Sequence, residues 1–130
     1  MAGETILNVT GRLTADPELR WTADGDAVAN FTIATHERYF DKTTKEWVQS
    51  DPSFLRCALW GRKNNAGEAE RFAATFTKGC RVLAALKMKP NNYERDGVKI
   101  QGLGWEVVEI GPTFRFGSFT FTPENSSDES

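Results

Sequence analysis

Chemistry that needs histidine, clustered cysteine or a surplus of cations finds little to work with in this chain. It has one histidine, His36, and two cysteines, Cys57 and Cys80. Two thiols and one imidazole cannot assemble a conventional structural zinc site, and no disulfide framework can organise the fold. The cysteines read as small buried hydrophobes of an intracellular protein, with a single disulfide as the alternative. No apolar run approaches the length of a bilayer span. The N-terminal Met-Ala-Gly-Glu-Thr-Ile lacks the basic and apolar regions of a secretory signal, so a cytoplasmic location is expected. Catalytic signatures are missing as well: there is no Gly-x-Gly-x-x-Gly, no phosphate-binding Gly-x-x-x-x-Gly-Lys-Ser/Thr and no nucleophile elbow. No enzymatic activity, cofactor or metal is therefore expected. Asp16 and Glu18 look like an acidic pair, but Pro17 sets them in a turn, where turn chemistry is the expected role. His36, beside Glu37 and Arg38, is expected at a surface or interface and carries no chemistry.

A basic excess is also absent. The formal net charge is -2, which at first sight argues against a nucleic-acid partner. The segment from Gly111 onward sets Arg115 against Glu124, Asp128 and Glu129 and accounts for the whole of it. The body is neutral, so binding an anionic polymer would need a local basic groove. At 130 residues and 39% hydrophobic, the chain suits one globular domain and excludes wholesale disorder.

The most informative stretch runs from Phe54 to Trp60. As a strand its side chains alternate between faces. Leu55, Cys57 and Leu59 make an ordinary core stripe, while Phe54, Arg56, Ala58 and Trp60 place two rings around a guanidinium on the other face. Stacking unpaired bases on rings while a cation holds phosphate would explain that face. A strand buried on both sides, with Arg56 reaching out along its stem, is the alternative.

Around it, Thr5 to Leu13 reads as a first strand interrupted by Gly11, and Leu19 to Thr22 as a short second one. Ala27 to Tyr39 reads as a long strand joined through a polar loop, Asp41 to Lys45, to a partner that begins at Trp47-Val48 and continues to Trp60. That pairing predicts a hairpin with an extended arm. Glu68 to Phe76 is the convincing helix, with Ala69, Phe72, Ala73 and Phe76 on one face and Gly79 as its stop. Arg81 to Met88 is a strand and Pro90 to Gly97 a turn region. Val98 to Ile110 reads as a final strand whose Gly102 and Gly104 suggest a bulge or bend. The expected fold is all-β with one helix, a five-stranded OB-fold barrel with an extended hairpin arm. Phe114, Phe116, Phe119 and Phe121 carry too many rings for a free tail, and suggest an extra C-terminal strand pairing with this or a neighbouring subunit. The expected organisation is a domain over 1–112 and a short C-terminal segment over 113–130. Removal of Ser118 to Ser130 should then weaken assembly more than binding per subunit.

Residues Gly11 to Ala34, with Asp16-Pro-Glu-Leu-Arg20 and Ala27-Val-Ala-Asn-Phe31 at fixed separation, strongly resemble the opening of bacterial single-stranded DNA-binding proteins. The resemblance continues through Phe54 to Arg62, Thr77 to Val82 and Glu109-Ile-Gly-Pro112, and its flavour is actinobacterial or phage-like. It implies a homotetramer of barrels that binds and protects single-stranded DNA during replication, recombination and repair, without reading sequence. By position it implies stacking on Tyr39, Phe54, Trp60 and Tyr93. The implied phosphate contacts are Arg20, Arg56, Arg62, Lys78, Lys87 and Lys89.

Tryptophan is frequent in the family at Tyr39, Phe54 and Tyr93, so ring size departs while ring character persists. Lys63-Asn-Asn-Ala-Gly67 lengthens the connection into the helix, and Leu86 stands where glycine is common. The family usually recruits replication and repair partners through a long tail with an acidic tip closed by phenylalanine. This sequence ends Asn125-Ser-Ser-Asp-Glu-Ser130 without Pro-Phe, so that recruitment is not expected here. Trp47 on the arm reads either as a further base platform or as a ring packed between subunits. Tyr93, in a Gly- and Asn-rich turn, reads as a DNA contact, and Trp21 and Trp105 as core or interface residues. The rival function is an OB-fold interaction accessory of a primosome or recombination complex with weak DNA binding. A cold-shock-like RNA binder is disfavoured, because the dense aromatic motif of such domains on adjacent strands is missing.

Overall fold

The computed structural model describes residues 4–62 and 66–123. Its strands are β1 (Ile6–Leu13), β2 (Glu18–Trp21), β3 (Ala27–Thr35), β4 (Arg38–Asp41), β5 (Glu46–Gln49) and β6 (Ser53–Gly61). The helix α1 (Glu68–Thr75) precedes β7 (Arg81–Pro90), β8 (Tyr93–Arg95), β9 (Val98–Ile100) and β10 (Leu103–Pro112). One sheet runs β1-β7-β10-β6-β3-β2, and a further β1–β3 pairing closes its first five strands into a barrel. The expected OB-fold barrel is thus formed, and β2 lies outside the ring as an added strand on β3. Closure needs Gly11: a Cβ there would collide with the Ala34 carbonyl oxygen and fall 2.6 Å from Ile33 Cγ2. The residue that interrupts the apolar pattern of β1 is the one that lets two strands meet.

The barrel interior follows the two-residue period of its strands. Val9 and Leu13 of β1, Ala27, Ala29, Phe31 and Ile33 of β3, Cys57 and Leu59 of β6, and Val82, Ala84 and Leu86 of β7 are all buried. Leu86 is 0% exposed, so the side chain standing where glycine is common in the family fills the core. α1 plugs one end of the barrel with Ala69 and Phe72, and the Phe72 ring lies 4.7 Å from Phe31 and 5.0 Å from Phe76. The helix stops at Thr75 rather than at the expected Phe76–Gly79. Phe76 has extended backbone and closes the last turn with its N–H on Phe72 O, while Gly79 (φ +90) turns the chain into β7.

The expected long strand through Tyr39 breaks after Thr35. Glu37 N–H donates to Ser50 Oγ at 2.9 Å and Ser50 N–H to Glu37 O at 2.7 Å, and these bonds set off β4–β5 as a separate two-stranded arm. The expected final strand also divides. β8 and β9 form a second hairpin around Asp96 (φ 51) and Gly97 (φ +79), both left-handed as a tight hairpin turn requires. The bulge falls between Val107 and Glu109, not at Gly102 or Gly104. Gly102 instead lets the root of the hairpin close, with Asn91 N–H donating to its carbonyl at 3.1 Å.

Among the described residues, 113–123 contain no strand within this chain. Within this chain the alternating phenylalanines form no ladder, because the chain bends and pairs two of its rings locally: Phe114 meets Phe119 edge-on at 5.9 Å. The segment lies along α1 and the end of β10, bordering a hollow of about 460 Å³ shared with Phe72, Phe76 and Ile110. Residues 63–65, part of the lengthened connection, and 124–130, the acidic end, lie outside the described residues. No helix among the described residues is long and apolar enough to cross a membrane.

Candidate nucleic-acid interface

Residues directly opposite in an antiparallel pair share a face. The register β2–β3–β6 therefore sets Arg20, Val28 and Trp60 in one row and Glu18, Asn30 and Ala58 in the next, with Thr32 opposite Arg56 and Ala34 opposite Phe54 further along. The row through Ala58 continues to Glu106 and Lys87. None of these side chains points into the barrel. The buried-on-both-faces reading of β6 is thereby excluded: Phe54 is 62% exposed.

This face is hollowed into an open groove of about 760 Å³, lined among others by Arg56, Trp60, Arg62, Lys89, Asn91 and Trp105. The Arg62 guanidinium lies 4.5 Å from the Trp60 ring centre, and its Nη1 is 3.7 Å from Glu106 Oε2. The carboxylate and the ring hold the cation over the groove. Arg20 donates to Glu18 Oε1 at 3.0 Å. That hydrogen bond first, and the Arg20 charge second, hold the exposed Glu18 carboxyl below its ordinary range. Cys57 faces inward beneath the groove, and burial pushes its thiol up to about 12, so it is not a nucleophile at neutral pH. Both cysteines are free.

The sequence-derived site residues fall into distinct places. Arg56, Trp60, Arg62 and Lys89 share the groove, and Arg20 lies on the same face. Tyr93 is 46% exposed at the start of the β8–β9 hairpin, whose root contributes Asn91 to the groove. Tyr39 and Trp47, 51% and 63% exposed, stand on the arm but on opposite sides of it. Tyr39 is opposite Val48, whereas Trp47 is opposite Phe40 and shares that side with Arg38. The Trp47 ring meets Phe40 at 5.7 Å and the Arg38 guanidinium at 5.7 Å. Lys87 is engaged by Glu4 at 3.1 Å. Lys78 does not line the groove. Its backbone N–H is tied to Asp16 Oδ1 at 2.8 Å, leaving it exposed on the loop before β7. Asp16 thus joins distant loops rather than serving its own turn.

The two remaining tryptophans were expected in the core or an interface, and they divide. Trp21 is 60% exposed at the outer end of β2 and is not a core residue. Trp105 packs partly against the core and also lines the groove, a double position that alternation could not reveal. Asn91 and Glu106 were likewise missed. Their signal would have been the register of β10 on β6 and β7, which is not local in sequence.

The single-strand binding protein family matches this chain over residues 5–104. The chain is 43% identical over 119 residues to the single-stranded DNA-binding protein of Mycobacterium tuberculosis, covering 91% of this chain and 70% of that one. It is 44% identical over 119 residues to the protein of the same name from Paenarthrobacter aurescens, with 91% and 67% covered. In fold it resembles the crystal structure of a small single-stranded DNA-binding protein from Streptomyces coelicolor. That match has a TM-score of 0.68 at 21% identity and covers 85% of this chain and 95% of the other. The chain belongs to the single-strand binding protein family. The match to actinobacterial relatives agrees with the flavour read from its motifs.

Proposed function

We propose that this protein binds single-stranded DNA through the Arg56–Trp60–Arg62–Lys89 groove without reading base sequence, and protects it during replication, recombination and repair. The carrying observation is the convergence of those four side chains on one open face, with the Arg62 guanidinium held against the Trp60 ring. Arginine and lysine hold phosphates, and the rings of Trp60 and Phe54 take base faces, which every base offers alike. Tyr39 and Trp47 on the arm and Tyr93 on the second hairpin extend the stacking surface beyond the groove. Arg20 adds a cation on the same face, and Lys78 and Lys87 add cations at its margins.

The binding domain is 1–112, with 113–130 as an accessory segment. Assembly is that of a homo-oligomer, a tetramer by family likeness. Its support in this chain is the exposed apolar surface of β1 and β7, where Ile6 (48% exposed) and Leu83 (53%) share one face. The protein acts as a binder rather than an enzyme, in the cytoplasm where single strands arise.

The test is a gel shift with long oligothymidine against duplex of equal length. Retardation of the single strand at concentrations that leave duplex free is expected. Equal retardation of both would remove the strandedness claim. No retardation of either would leave the interaction-accessory reading in its place.

A further inference from the structure

A groove for a polyanion should be short of carboxylates, yet Asp16, Glu18 and Glu106 all line this one. Each is engaged. Asp16 accepts the Lys78 N–H at 2.8 Å and so serves the backbone of a distant loop. Glu18 accepts from Arg20, two residues along its own strand, and both side chains are more than half exposed. Glu106 is the different case. Its side chain is only 27% exposed, and its ion pair at 3.7 Å joins β10 to Arg62, just past the end of β6.

The register sharpens that pairing. Glu106 stands directly opposite Lys87 of β7, and opposite charges that face each other across an antiparallel pair attract. Lys87 is instead held by Glu4 at 3.1 Å, which leaves the Glu106 carboxylate to Arg62. On the β6 side Glu106 faces Ala58, whose side chain has no polar atom to compete for it. Arg62 is thereby fixed at two points, with its guanidinium carbon 4.5 Å from the Trp60 ring centre and its Nη1 at the carboxylate. A guanidinium carries its N–H donors in a rigid fork, so one nitrogen can be held by Glu106 while others face a phosphate. Without the tether, this long side chain would lose its rotamer freedom only when the phosphate arrives, and that loss is subtracted from affinity.

We propose that Glu106 is a positioning residue of the groove: by tethering Arg62 beside the Trp60 ring it strengthens the binding of single-stranded DNA, although it adds a negative charge to the site. This rests on the single-stranded DNA reading of the groove. Glu106 acts through Arg62, which meets the phosphate already ordered. Charge alone demands the opposite sign, since removing a carboxylate beside a polyanion relieves repulsion.

The test measures the oligothymidine affinity of the full chain at one low salt concentration, in the parent, Glu106→Gln, Arg62→Gln and the double variant. Ordering one such side chain on binding reduces affinity by about two- to tenfold, so Glu106→Gln should bind weaker by about that factor. In the Arg62→Gln background the same change has only charge left to act through, and should tighten binding. That reversal of sign is the signature of positioning, and a role in the fold does not produce it. Glu106→Asp, which keeps the charge on a shorter stem, should fall between the parent and Glu106→Gln. In a Lys87→Gln background the loss caused by Glu106→Gln should persist. Parental or tighter binding by Glu106→Gln overturns the proposal. So does equal weakening with and without Arg62, whether or not thermal midpoint or assembly mass falls with it, which would assign Glu106 to the fold. Disappearance of the loss in the Lys87→Gln background would make Lys87 the working partner and overturn it as well. If the parent itself fails to bind oligothymidine, the groove reading fails first, so the two failures are distinguishable.

Discussion

At the scale of single residues, Trp60 carries the clearest expectation. It is held on the groove face by the strand's alternation and backed by Arg62 at 4.5 Å. Stacking on an aromatic ring contributes about 1–3 kcal/mol per base. Trp60→Ala should weaken oligothymidine binding by about that much and remove the larger part of the tryptophan quenching that accompanies it. Fluorescence titration would check both, and parental affinity in the variant would end the stacking assignment. The Phe54–Trp60 face was readable in advance because a two-residue period is a local property of a strand. The exposure of Trp21 and the groove position of Trp105 were not readable, since they depend on where the barrel ends and on which strand crosses beside them. Neither fact is visible within a few residues of either ring.

At the scale of elements, the arm is a hairpin with different chemistry on its two sides. Tyr39 shares one side with Val48, and Trp47 shares the other with Phe40 and Arg38. One extended strand of DNA cannot stack on both sides of a hairpin at the same point. Their contributions to binding should therefore be independent and add within about 0.3–0.5 kcal/mol in the Tyr39→Ala/Trp47→Ala double variant. A coupling well above that would place both rings on one base stack. That the two residues belong to one arm was legible from the polar loop between apolar runs. Their opposition depends on the β4–β5 register, which the turn at Asp41 to Lys45 sets: Asp41 O accepts the Lys45 N–H at 2.7 Å. The C-terminal segment shows the reverse case. Its phenylalanines read as a strand, yet within this chain Phe116 meets Arg12 and Arg81 while Phe114 meets Phe119. Alternation reports a period, and only distant neighbours decide whether a ladder exists to receive it.

At the scale of the whole molecule, the groove, the arm and the second hairpin are all carried by one ring of strands. β7 pairs with β1 from Ile6↔Lys87 to Arg12↔Arg81, and β3 pairs with β6 from Ala27↔Gly61 to Thr35↔Ser53. The β1–β3 closure, by contrast, rests on Arg12↔Ala34 and Leu13↔Ile33 alone, at the point where Gly11 admits close approach. The ring therefore has a clasp, a two-pair ladder matched in shortness by β10–β6, which rests on Trp105↔Cys57 and Glu106↔Ala58. Partial opening of the native state should begin at these two short seams, because few bonds must break to part β1 from β3, or β10 from β6, while each strand keeps its longer partner. Native-state amide exchange should show the β1–β3 bonds exchanging through smaller openings than those joining β3 to β6. A uniform protection across the barrel would contradict it. A ligand that bridges β1 and β3 at this clasp would latch it, so that the protein becomes harder to open while it is loaded.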